Sequence, residues 1–483
     1  MTIRNDTAVA FFTQLLGAKG VVAEAEDQER YVCDWAGGRL GMPLAVVRPG
    51  TTEEVAEVVR YCHEQRIRMV PQGGHTGLVQ GALPDDHIAE VVISLERMTR
   101  IRRLDPLNFT MAVDGGCILE EVKRAAEEND CFFPLSLGAQ GSCQIGGNIA
   151  TNAGGVNVLR YGMMRELVLG LEVVLPNGEI WSSMRALHKD NRGYSLQQLL
   201  IGSEGTLGIV TGAVLKLTPR PQQSQTALLA VPSVEAAVRL YALARRVGSD
   251  LLSAFELIPR QCLELAFEAA PQLSDPLDEV YPNYVLLELA ASGPVDLSVM
   301  LECLLEAGME EEVVLDGVLA SSIAQADQLW LIREGMVEGQ LLRGEHLRTD
   351  ISVPISAIAE CVEQAAAAVT TLSPNSLLIA YGHIGDGNLH INVLPAAETP
   401  GEALPALFEQ LEGAIFTVVD GFDGSISAEH GIGRSKQAAY LARLSSTEQR
   451  LLTSIKEVFD PDELMGAGRI LPLAERQLLS NIH

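Results

Sequence analysis

The stretch that most constrains the fold of this chain is an Asp-Gly dipeptide placed between two apolar runs. Asp386 and Gly387 lie between residues 377–380 and residues 391–394, which are apolar apart from Asn392. Asp-Gly favours a two-residue turn with positive φ, whose twist matches that of two antiparallel strands. The stretch therefore predicts a β-hairpin whose loop consists of Asp386 and Gly387.

Two histidines face each other across this predicted hairpin. A two-residue loop pairs His383 with His390, and the Cβ atoms of directly opposed residues lie about 4.5–5.5 Å apart. Strand alternation places Asn392 on the same face as His390. Two imidazoles held this close can both bind one metal ion, so the sequence predicts a metal-binding hairpin.

Residues 427–433 offer a third metal ligand in a glycine-rich loop. Two histidines and the carboxylate of Glu429 leave an open coordination position, which is typical of catalytic rather than structural metal sites. His430 is then available as a base. Two alternatives stay open at this point: ordinary polar residues in glycine-rich turns, and a zinc metallohydrolase, an enzyme class that uses the same ligand types.

Glycine-rich turns recur in the first half of the chain, at residues 71–78, 138–155, 160–162 and 201–210. Successive glycines expose backbone N–H groups and permit positive φ, so such turns can bind a phosphate or lie flat against a large planar ligand. No Gly-x-Gly-x-x-Gly opens a helix after a strand, which disfavours a dinucleotide fold of the Rossmann type.

The periodicity of apolar residues predicts two kinds of domain. Strands and helices alternate between residues 43 and 217, where Thr51 and Glu54 supply a capping box for a helix with one apolar stripe. Residues 219–225 are rich in Pro and Gln and form the predicted linker. Strand and helix patterns continue beyond it, which predicts an α+β domain with an antiparallel sheet covered by helices.

Charge and cysteine usage exclude several classes of function. A net charge of −28 argues against nucleic acid or an anionic membrane surface as the partner. The eight cysteines include no Cys-x-x-Cys, so neither an iron–sulfur cluster nor a disulfide framework is indicated. The first residues have no signal-peptide core, and residues 199–217 contain Glu204 and several glycines, which predicts strands and turns rather than a membrane span. A cytoplasmic protein without a membrane span is expected.

The motifs resemble those of a known flavoprotein superfamily. Residues 71–81, 135–157, 189–194 and 201–210, together with Arg-Tyr-Gly at 160–162, resemble the flavin domain of the vanillyl-alcohol-oxidase-like, or PCMH-type, flavoproteins.

A second set of motifs narrows this resemblance to one branch. The predicted hairpin and residues 428–433 resemble the D-2-hydroxyacid dehydrogenase branch, nearest to the D-2-hydroxyglutarate dehydrogenases. The resemblance implies a two-subdomain FAD-binding domain at residues 1–220, a substrate or cap domain with the metal site at residues 221–455, and a segment at residues 456–483 that returns to the FAD domain.

The resemblance also implies site residues. The metal ligands are His383, His390 and Glu429, with zinc as the expected metal, and His430 is the catalytic base and a substrate contact. Substrate-binding residues are Arg333, Arg348, Asn392 and His430. The cofactor-binding residues are Pro71, Gln72, Gly73, Gly74, His75, Thr76, Gly77, Leu78, Pro134, Gly138, Ser142, Gly146, Gly147, Asn148, Thr151, Asn152, Gly154, Tyr161, Gly162, Glu204, Gly205, Gly208 and Ile209.

The implied reaction is oxidation of a D-2-hydroxy acid to a 2-oxo acid, with hydride transfer to the flavin. D-2-hydroxyglutarate, which gives 2-oxoglutarate, is the first expectation. The family places a lysine where this chain has Arg348 and a threonine near Val337, so D-lactate, D-malate and glycolate stay as alternatives.

The resemblance further suggests how electrons leave the enzyme and how FAD is bound. It suggests electron-transferring flavoprotein or a quinone-linked carrier as the electron acceptor, and it leaves a homodimer open. His75 stands where the family tends to have asparagine, and FAD is expected to be bound noncovalently beside it.

Overall fold

The computed structural model describes residues 2–35, 37–85 and 89–473. The strands are β1 (Val21–Val22), β2 (Ala45–Val47), β3 (Arg68–Gln72), β4 (Glu90–Ser94), β5 (Ile101–Asp105), β6 (Thr110–Asp114), β7 (Cys131–Phe132), β8 (Val168–Val174), β9 (Ile180–Ser182), β10 (Ile209–Lys216), β11 (Thr218–Pro219), β12 (Gln223–Val231), β13 (Leu252–Pro259), β14 (Asn283–Ala291), β15 (Asp316–Leu319), β16 (Leu347–Arg348), β17 (Ile351–Ser352), β18 (Leu377–Tyr381) and β19 (Asn388–Leu394). The helices are α1 (Thr2–Leu16), α2 (Ala25–Val32), α3 (Thr52–Glu64), α4 (Leu119–Glu127), α5 (Ile145–Ala150), α6 (Val158–Tyr161), α7 (Met164–Leu167), α8 (Leu196–Leu200), α9 (Val234–Gly248), α10 (Arg260–Ala269), α11 (Leu297–Glu310), α12 (Ile323–Leu342), α13 (Ile358–Leu372), α14 (Leu404–Asp420), α15 (Gln437–Leu441) and α16 (Ser446–Phe459).

The chain divides into two compact units. The first unit combines residues 1–154, 163–220 and 429–483, and the second combines residues 155–162 and 221–428. The C-terminal part of the first unit thus begins at Glu429, whereas the sequence analysis placed that boundary after residue 455. Residues 474–483 of the predicted C-terminal segment lie outside the described residues.

The first unit contains a four-stranded sheet in the order β1-β2-β4-β3, in which β2, β4 and β3 are parallel. Every residue of β2 and β4 is buried, as expected for parallel strands covered on both faces. The helix α3 connects β2 to β3 and begins where the sequence predicted, with Thr51 Oγ1 accepting from the Glu54 N–H at 3.1 Å. The Glu54 carboxylate accepts from the Gly50 N–H instead of returning to Thr51, so the predicted capping box is only half formed.

A second sheet of the first unit is antiparallel, with the order β5-β6-β10-β8-β9. Its central strand, β10, follows α8 and a run of glycine turns. Residues 201–217 thus form turns and strand as predicted, whereas residues 199–200 end a helix that was not predicted. The two sheets correspond to the two predicted subdomains of this part of the chain.

The second unit is built on the antiparallel sheet β13-β14-β12-β15. The helices α10 and α12 pack against this sheet, and apolar side chains of the strands and of both helices share one core. The helices α9 and α11 also contact the sheet strands. The α+β domain with an antiparallel sheet covered by helices, predicted for this region, is confirmed.

The predicted hairpin forms from β18 and β19, but its predicted register is wrong. Tyr381 pairs with His390, so the loop spans residues 382–387 instead of two residues. The reason is long-range: Gly382 leaves the hairpin ladder and exchanges two backbone hydrogen bonds with Leu257 of β13, at 2.9 and 3.2 Å. The short strands β16 and β17 pair with β19 on its other side.

One helical stretch of the described residues, 355–372, has the length and apolar composition of a membrane span. Its main part, α13, places Ile358, Cys361, Ala365 and Val369 at helical spacing, and all four are buried. Since α13 packs against α14, this stripe has a partner within the second unit.

Candidate functional site

The structure brings His383 and His390 together even though they are not paired across the hairpin. Their ring centroids lie 5.8 Å apart at an interplanar angle of 78°, and ligand nitrogens of the two rings lie within 4.8 Å of each other. The loop folds back on itself because the N–H groups of Asp386 and Asn388 both donate to the His383 carbonyl, at 3.1 and 3.2 Å. This folded loop returns His383 toward the face of β19 that carries His390.

A buried carboxylate, Glu256 of β13, holds His383 from behind. The His383 Nδ1–H donates to Glu256 Oε1, and Arg333 Nε donates to Glu256 Oε2 at 2.7 Å. The Glu256 side chain is fully buried and that of Arg333 is only 11% exposed. Burial alone raises the pKa of this carboxyl, but its electrostatic interactions and hydrogen bonds with His383 and Arg333 outweigh burial and hold the pKa of Glu256 at about 2.

Donation from Nδ1 to a carboxylate fixes the tautomer of His383. The proton is then on Nδ1, and Nε2 keeps its lone pair, which is the form of imidazole that binds a metal. His390 provides a second imidazole at the distance given above. The donor set of this pair therefore fits a divalent cation that accepts nitrogen ligands, such as zinc.

A second buried carboxylate, Asp350, lies close to His390. Its Oδ1 is 3.9 Å from His390 Nδ1 and accepts from Asn388 Nδ2 at 2.9 Å. Its Oδ2 accepts from the backbone N–H of Ala428 at 3.1 Å. Ala428 is the last residue of the second unit, so Asp350 holds the point from which the chain continues to Glu429.

Two of the predicted site residues, Glu429 and His430, belong to the first unit. Both directly follow Ala428 in the chain and are partly buried. The predicted metal and base residues are thus divided between the two units. His383 and His390 belong to the second unit, and Glu429 and His430 belong to the first.

The predicted substrate residues in the second unit lie on α12 and on the sheet of β19. Arg333 lies with its Cζ 5.2 Å from the centre of the Tyr381 ring, in addition to its ion pair. Arg348 is exposed on β16, directly paired with Asn392 of β19. Val337, on the same helix as Arg333, is 38% exposed.

The amide of Asn392 is oriented by a chain of hydrogen bonds that starts at a backbone carbonyl. Gln340 Nε2 donates to the Met336 carbonyl at 3.2 Å, so Gln340 Oε1 is the acceptor. Asn392 Nδ2 donates to that oxygen at 2.7 Å and lies 3.3 Å from the Tyr381 hydroxyl. Asn392 is thus a buried, fixed part of this face.

Sequence reasoning missed the residues that support the site, namely Glu256, Asp350 and Gln340. The signal for Glu256 was present, because it is the only charged residue of β13. A lone carboxylate in a buried strand needs a charged or hydrogen-bonded partner. The identity of that partner is not visible in the sequence, because Arg333 and His383 are far away along the chain.

The glycine-rich segments predicted to bind a cofactor lie mostly in the first unit. Pro71 and Gln72 end β3, and residues 145–150 form α5. A Cβ atom on Gly74 would lie 2.1 Å from the Ser142 carbonyl oxygen, so only glycine permits this approach of two backbones. Tyr161 and Gly162, in contrast, belong to the second unit.

Glu204, predicted as a cofactor residue, uses its side chain to bind backbone. Its carboxylate accepts from the N–H groups of Ile432 and Gly433, at 2.8 and 2.7 Å. Burial raises the pKa of Glu204, and these two hydrogen bonds act in the opposite direction. In the same unit, burial lowers the pKa of His75, which has a positive φ of 58°.

Buried acceptors in the glycine-rich segments fit a bound flavin. Gln144 Oε1 and Asn148 Oδ1 are buried and have no hydrogen-bond partner among the described residues. A buried acceptor without a donor costs free energy, so these atoms favour a ligand that carries donors. The ring N–H and the hydroxyl groups of FAD are such donors.

Two family profiles match this chain. Residues 220–470 match the C-terminal domain of FAD-linked oxidases, and residues 43–183 match the FAD-binding domain.

Relatives match over nearly the whole length. A D-2-hydroxyglutarate dehydrogenase from Xanthomonas citri pv. viticola is 40% identical over 96% of this chain and 97% of that protein. A probable mitochondrial D-2-hydroxyglutarate dehydrogenase from Oryza sativa subsp. indica is 37% identical over 98% of this chain and 83% of that protein.

The fold is also that of solved flavin oxidases. The structure of 4-ethylphenol oxidase from Gulosibacter chungangensis, in complex with isoeugenol, superposes with a TM-score of 0.75 over 99% of both chains, at 17% identity. The predicted two-subdomain PCMH-type FAD-binding fold with an α+β domain is confirmed, as is FAD as the cofactor. The chain belongs to the family of FAD-linked oxidases that includes the D-2-hydroxyglutarate dehydrogenases.

Proposed function

We propose that this FAD-dependent oxidoreductase converts D-2-hydroxyglutarate to 2-oxoglutarate with the help of a divalent metal, zinc being the first candidate. The observation that carries the proposal is the group formed by His383, His390 and Arg333. The ligand nitrogens of the two imidazoles lie within 4.8 Å of each other. The guanidinium of Arg333 binds the same buried carboxylate, Glu256, as His383 does. The names of the relatives support the choice of substrate.

His383 and His390 hold the metal in this proposal, and Glu429 is the third ligand that the family resemblance implies. Bound FAD supplies a two-electron acceptor, and the bound cation supplies Lewis-acid polarisation of the substrate oxygens. The glycine-rich segments of the first unit hold FAD noncovalently.

The side chains of this protein supply binding, orientation and proton transfer. Arg333 uses Nε for Glu256, which leaves its two Nη groups for a substrate carboxylate. Arg348, exposed on β16, carries the positive charge for the second carboxylate of a dicarboxylic substrate. An imidazole nitrogen of His430 accepts the proton of the substrate hydroxyl in this proposal, since imidazole is a common general base in enzymes.

Two positions keep shorter substrates open as alternatives. Valine at 337 offers no hydroxyl for a hydrogen bond, and the forked side chain of Arg348 is no neutral exchange for lysine. A monocarboxylate such as D-lactate or glycolate needs neither contact. D-Malate is a shorter dicarboxylate, whose second carboxylate also needs a positive charge such as that of Arg348.

The visible spectrum of the purified protein under anaerobic conditions tests the proposal. We expect D-2-hydroxyglutarate to bleach the flavin band rapidly, and L-2-hydroxyglutarate, D-lactate, D-malate and glycolate to do so slowly. Bleaching by a monocarboxylate alone would contradict the dicarboxylate assignment, and a flavin band that none of these acids bleaches would contradict the proposed activity.

The same measurement tests the role of His430. In His430→Asn, the rate of flavin reduction should fall by a factor of about 10²–10⁴, the usual contribution of a general base. His188→Asn, at an exposed histidine of the first unit, serves as the control and should reduce at the wild-type rate. Unchanged reduction in His430→Asn would remove His430 from the mechanism.

The acceptor of the electrons is proposed from the family alone. Reduced FAD passes its electrons to electron-transferring flavoprotein or to a quinone-linked carrier. Reoxidation of the bleached protein by each carrier, compared with reoxidation by air, distinguishes these routes from an oxidase. Reoxidation of the flavin by air as fast as by both carriers would contradict the proposed electron acceptor.

A further inference from the structure

We propose that Glu256 is a positioning residue that orients a metal-binding imidazole and a substrate-binding guanidinium at the same time. This inference rests on the proposed function, because it takes His383 as a metal ligand and Arg333 as a carboxylate ligand. Glu256 touches neither metal nor substrate in this scheme, and it acts only through these two side chains.

Three separate elements meet at this carboxylate. Glu256 is on β13, Arg333 is on α12, and His383 is in the loop that follows β18. The residues next to Glu256 and His383 form the backbone bridge between Leu257 and Gly382. Because the backbones are bridged one residue away, the Glu256 and His383 side chains are held in register with each other.

A carboxylate is the side-chain group that suits both partners. The His383 Nδ1–H donates to one oxygen and the Arg333 Nε–H donates to the other, at 2.7 Å for the arginine. Both partners are donors, so both positions of the group between them must be acceptors. Two consequences follow together: His383 presents Nε2 to the metal, and the guanidinium of Arg333 is held in one orientation through its Nε.

The competing explanation is that Glu256 only stabilises the fold as a buried ion pair. The chain offers a control for this explanation in Glu288 of β14, a partly buried carboxylate of the same sheet. Its partners are neutral: Ser253 Oγ at 3.0 Å, Thr226 Oγ1 at 3.3 Å and Trp330 Nε1 at 3.4 Å. A variant at Glu288 therefore disturbs a hydrogen-bonded carboxylate of this sheet without disturbing His383 or Arg333.

Glu256→Gln is the discriminating variant. Glutamine has nearly the same shape, but its amide has one acceptor oxygen and one N–H donor group. It can accept from Arg333 or from His383 and must direct its NH₂ at the other. We expect zinc affinity to fall by about 10–100-fold, the usual effect of losing the partner of a metal-binding histidine. We expect KM for D-2-hydroxyglutarate to rise by about tenfold at saturating zinc.

Zinc affinity is measured by equilibrium dialysis of the FAD-loaded protein against buffered Zn²⁺, followed by elemental analysis, so this readout uses no substrate. In Glu288→Gln, zinc affinity and KM should both stay within about twofold of wild type. Arg333→Lys should raise KM while zinc affinity stays within about twofold, because lysine can still pair with Glu256 but lacks the planar fork.

The proposal is overturned if Glu256→Gln binds zinc as tightly as wild type does. It is also overturned if Glu288→Gln loses as much zinc affinity as Glu256→Gln. A wild-type protein that binds no zinc overturns it as well. If Glu256→Gln does not retain FAD, Glu256→Asp is measured in its place. Aspartate keeps two acceptor oxygens but holds them one methylene further back. Zinc binding by this variant as tight as that of wild type would contradict the proposed positioning role. A protein that binds zinc but oxidises none of the 2-hydroxy acids contradicts the proposed function, and the dialysis still decides the link from Glu256 to His383.

Discussion

Single carboxylates that are buried or partly buried organise polar contacts in both units, each by accepting from two or more donors. In the second unit Glu256 joins a histidine to an arginine. In the first unit Glu204 binds two backbone N–H groups, and Glu90 pairs with Arg469. A carboxylate in such a place cannot be replaced by its amide without leaving a donor unpaired, which costs about 1–3 kcal/mol.

Glu204→Gln tests this statement at one residue. The glutamine amide can accept from the N–H group of Ile432 or of Gly433, but its NH₂ group then faces the other N–H group, which is left without an acceptor. We expect the free energy of unfolding to fall by about 1–3 kcal/mol. Urea unfolding followed by circular dichroism measures it, with Glu166→Gln at an exposed position of the same unit as the control. Two variants of equal stability would contradict a structural role for the Glu204 carboxylate.

At the scale of elements, the hairpin shows how a correct local signal gave a wrong register. Asp-Gly does form a turn between two strands, as the sequence predicted. The ladder stops at Tyr381 because Gly382 binds Leu257 of β13, which the hairpin sequence does not contain. The loop that results carries His383 to Glu256, so the bridge between the two sheets positions the site.

Gly387→Ala tests the fixed shape of this loop. Gly387 has a φ of +89°, and a Cβ atom there would lie 2.5 Å from the Val353 carbonyl oxygen. The loop must shift, so we expect a loss of about 1–3 kcal/mol in unfolding free energy and weaker zinc binding. Gly413→Ala is the control. Gly413 lies on the exposed face of α14, and a Cβ atom there would have no other atom within 4 Å.

Alanine in a helix is favoured over glycine by about 0.5–1 kcal/mol, so Gly413→Ala should be as stable as wild type or more stable. Thermal unfolding of the two variants checks the difference. Equal melting temperatures would show that the loop tolerates a side chain at residue 387.

At the scale of the whole molecule, the first unit is assembled from three separate parts of the chain. Met69 of β3 forms a backbone bridge with Met465 from the C-terminal part. Arg469 reaches Glu90 at 3.0 Å across 379 residues of sequence, and both side chains are essentially inaccessible to solvent. The C-terminal segment is therefore a structural component of the unit that binds FAD.

Arg469→Met tests this closure. It leaves the Glu90 carboxylate buried without its main partner, and breaking a buried ion pair in this way costs about 3–5 kcal/mol. We expect early loss of FAD on heating, read from flavin fluorescence. The double variant Arg469→Met with Glu90→Met removes both charges and should recover part of the loss. A single variant as stable as wild type would contradict the importance of this pair.

The sequence predicted the regular elements well because their signals are local. The N-cap of α3 and the apolar stripe behind it depend on residues within two turns of each other. Buried Glu256 was missed because its partners lie 77 and 127 residues away. The same holds for Gln340, which orients Asn392 across 52 residues.

Local signals in the sequence predicted the α+β domain and the two histidines that the hairpin loop brings close, because apolar periodicity and a turn dipeptide act over short stretches. The FAD-binding fold was predicted from the resemblance of the glycine-rich motifs to a known family. The hairpin register, the tautomer of His383 and the link from Arg333 to that histidine depend instead on long-range packing. These depend on which distant donors and acceptors packing brings within hydrogen-bond distance, and burial then makes every unpaired group costly enough to select one arrangement.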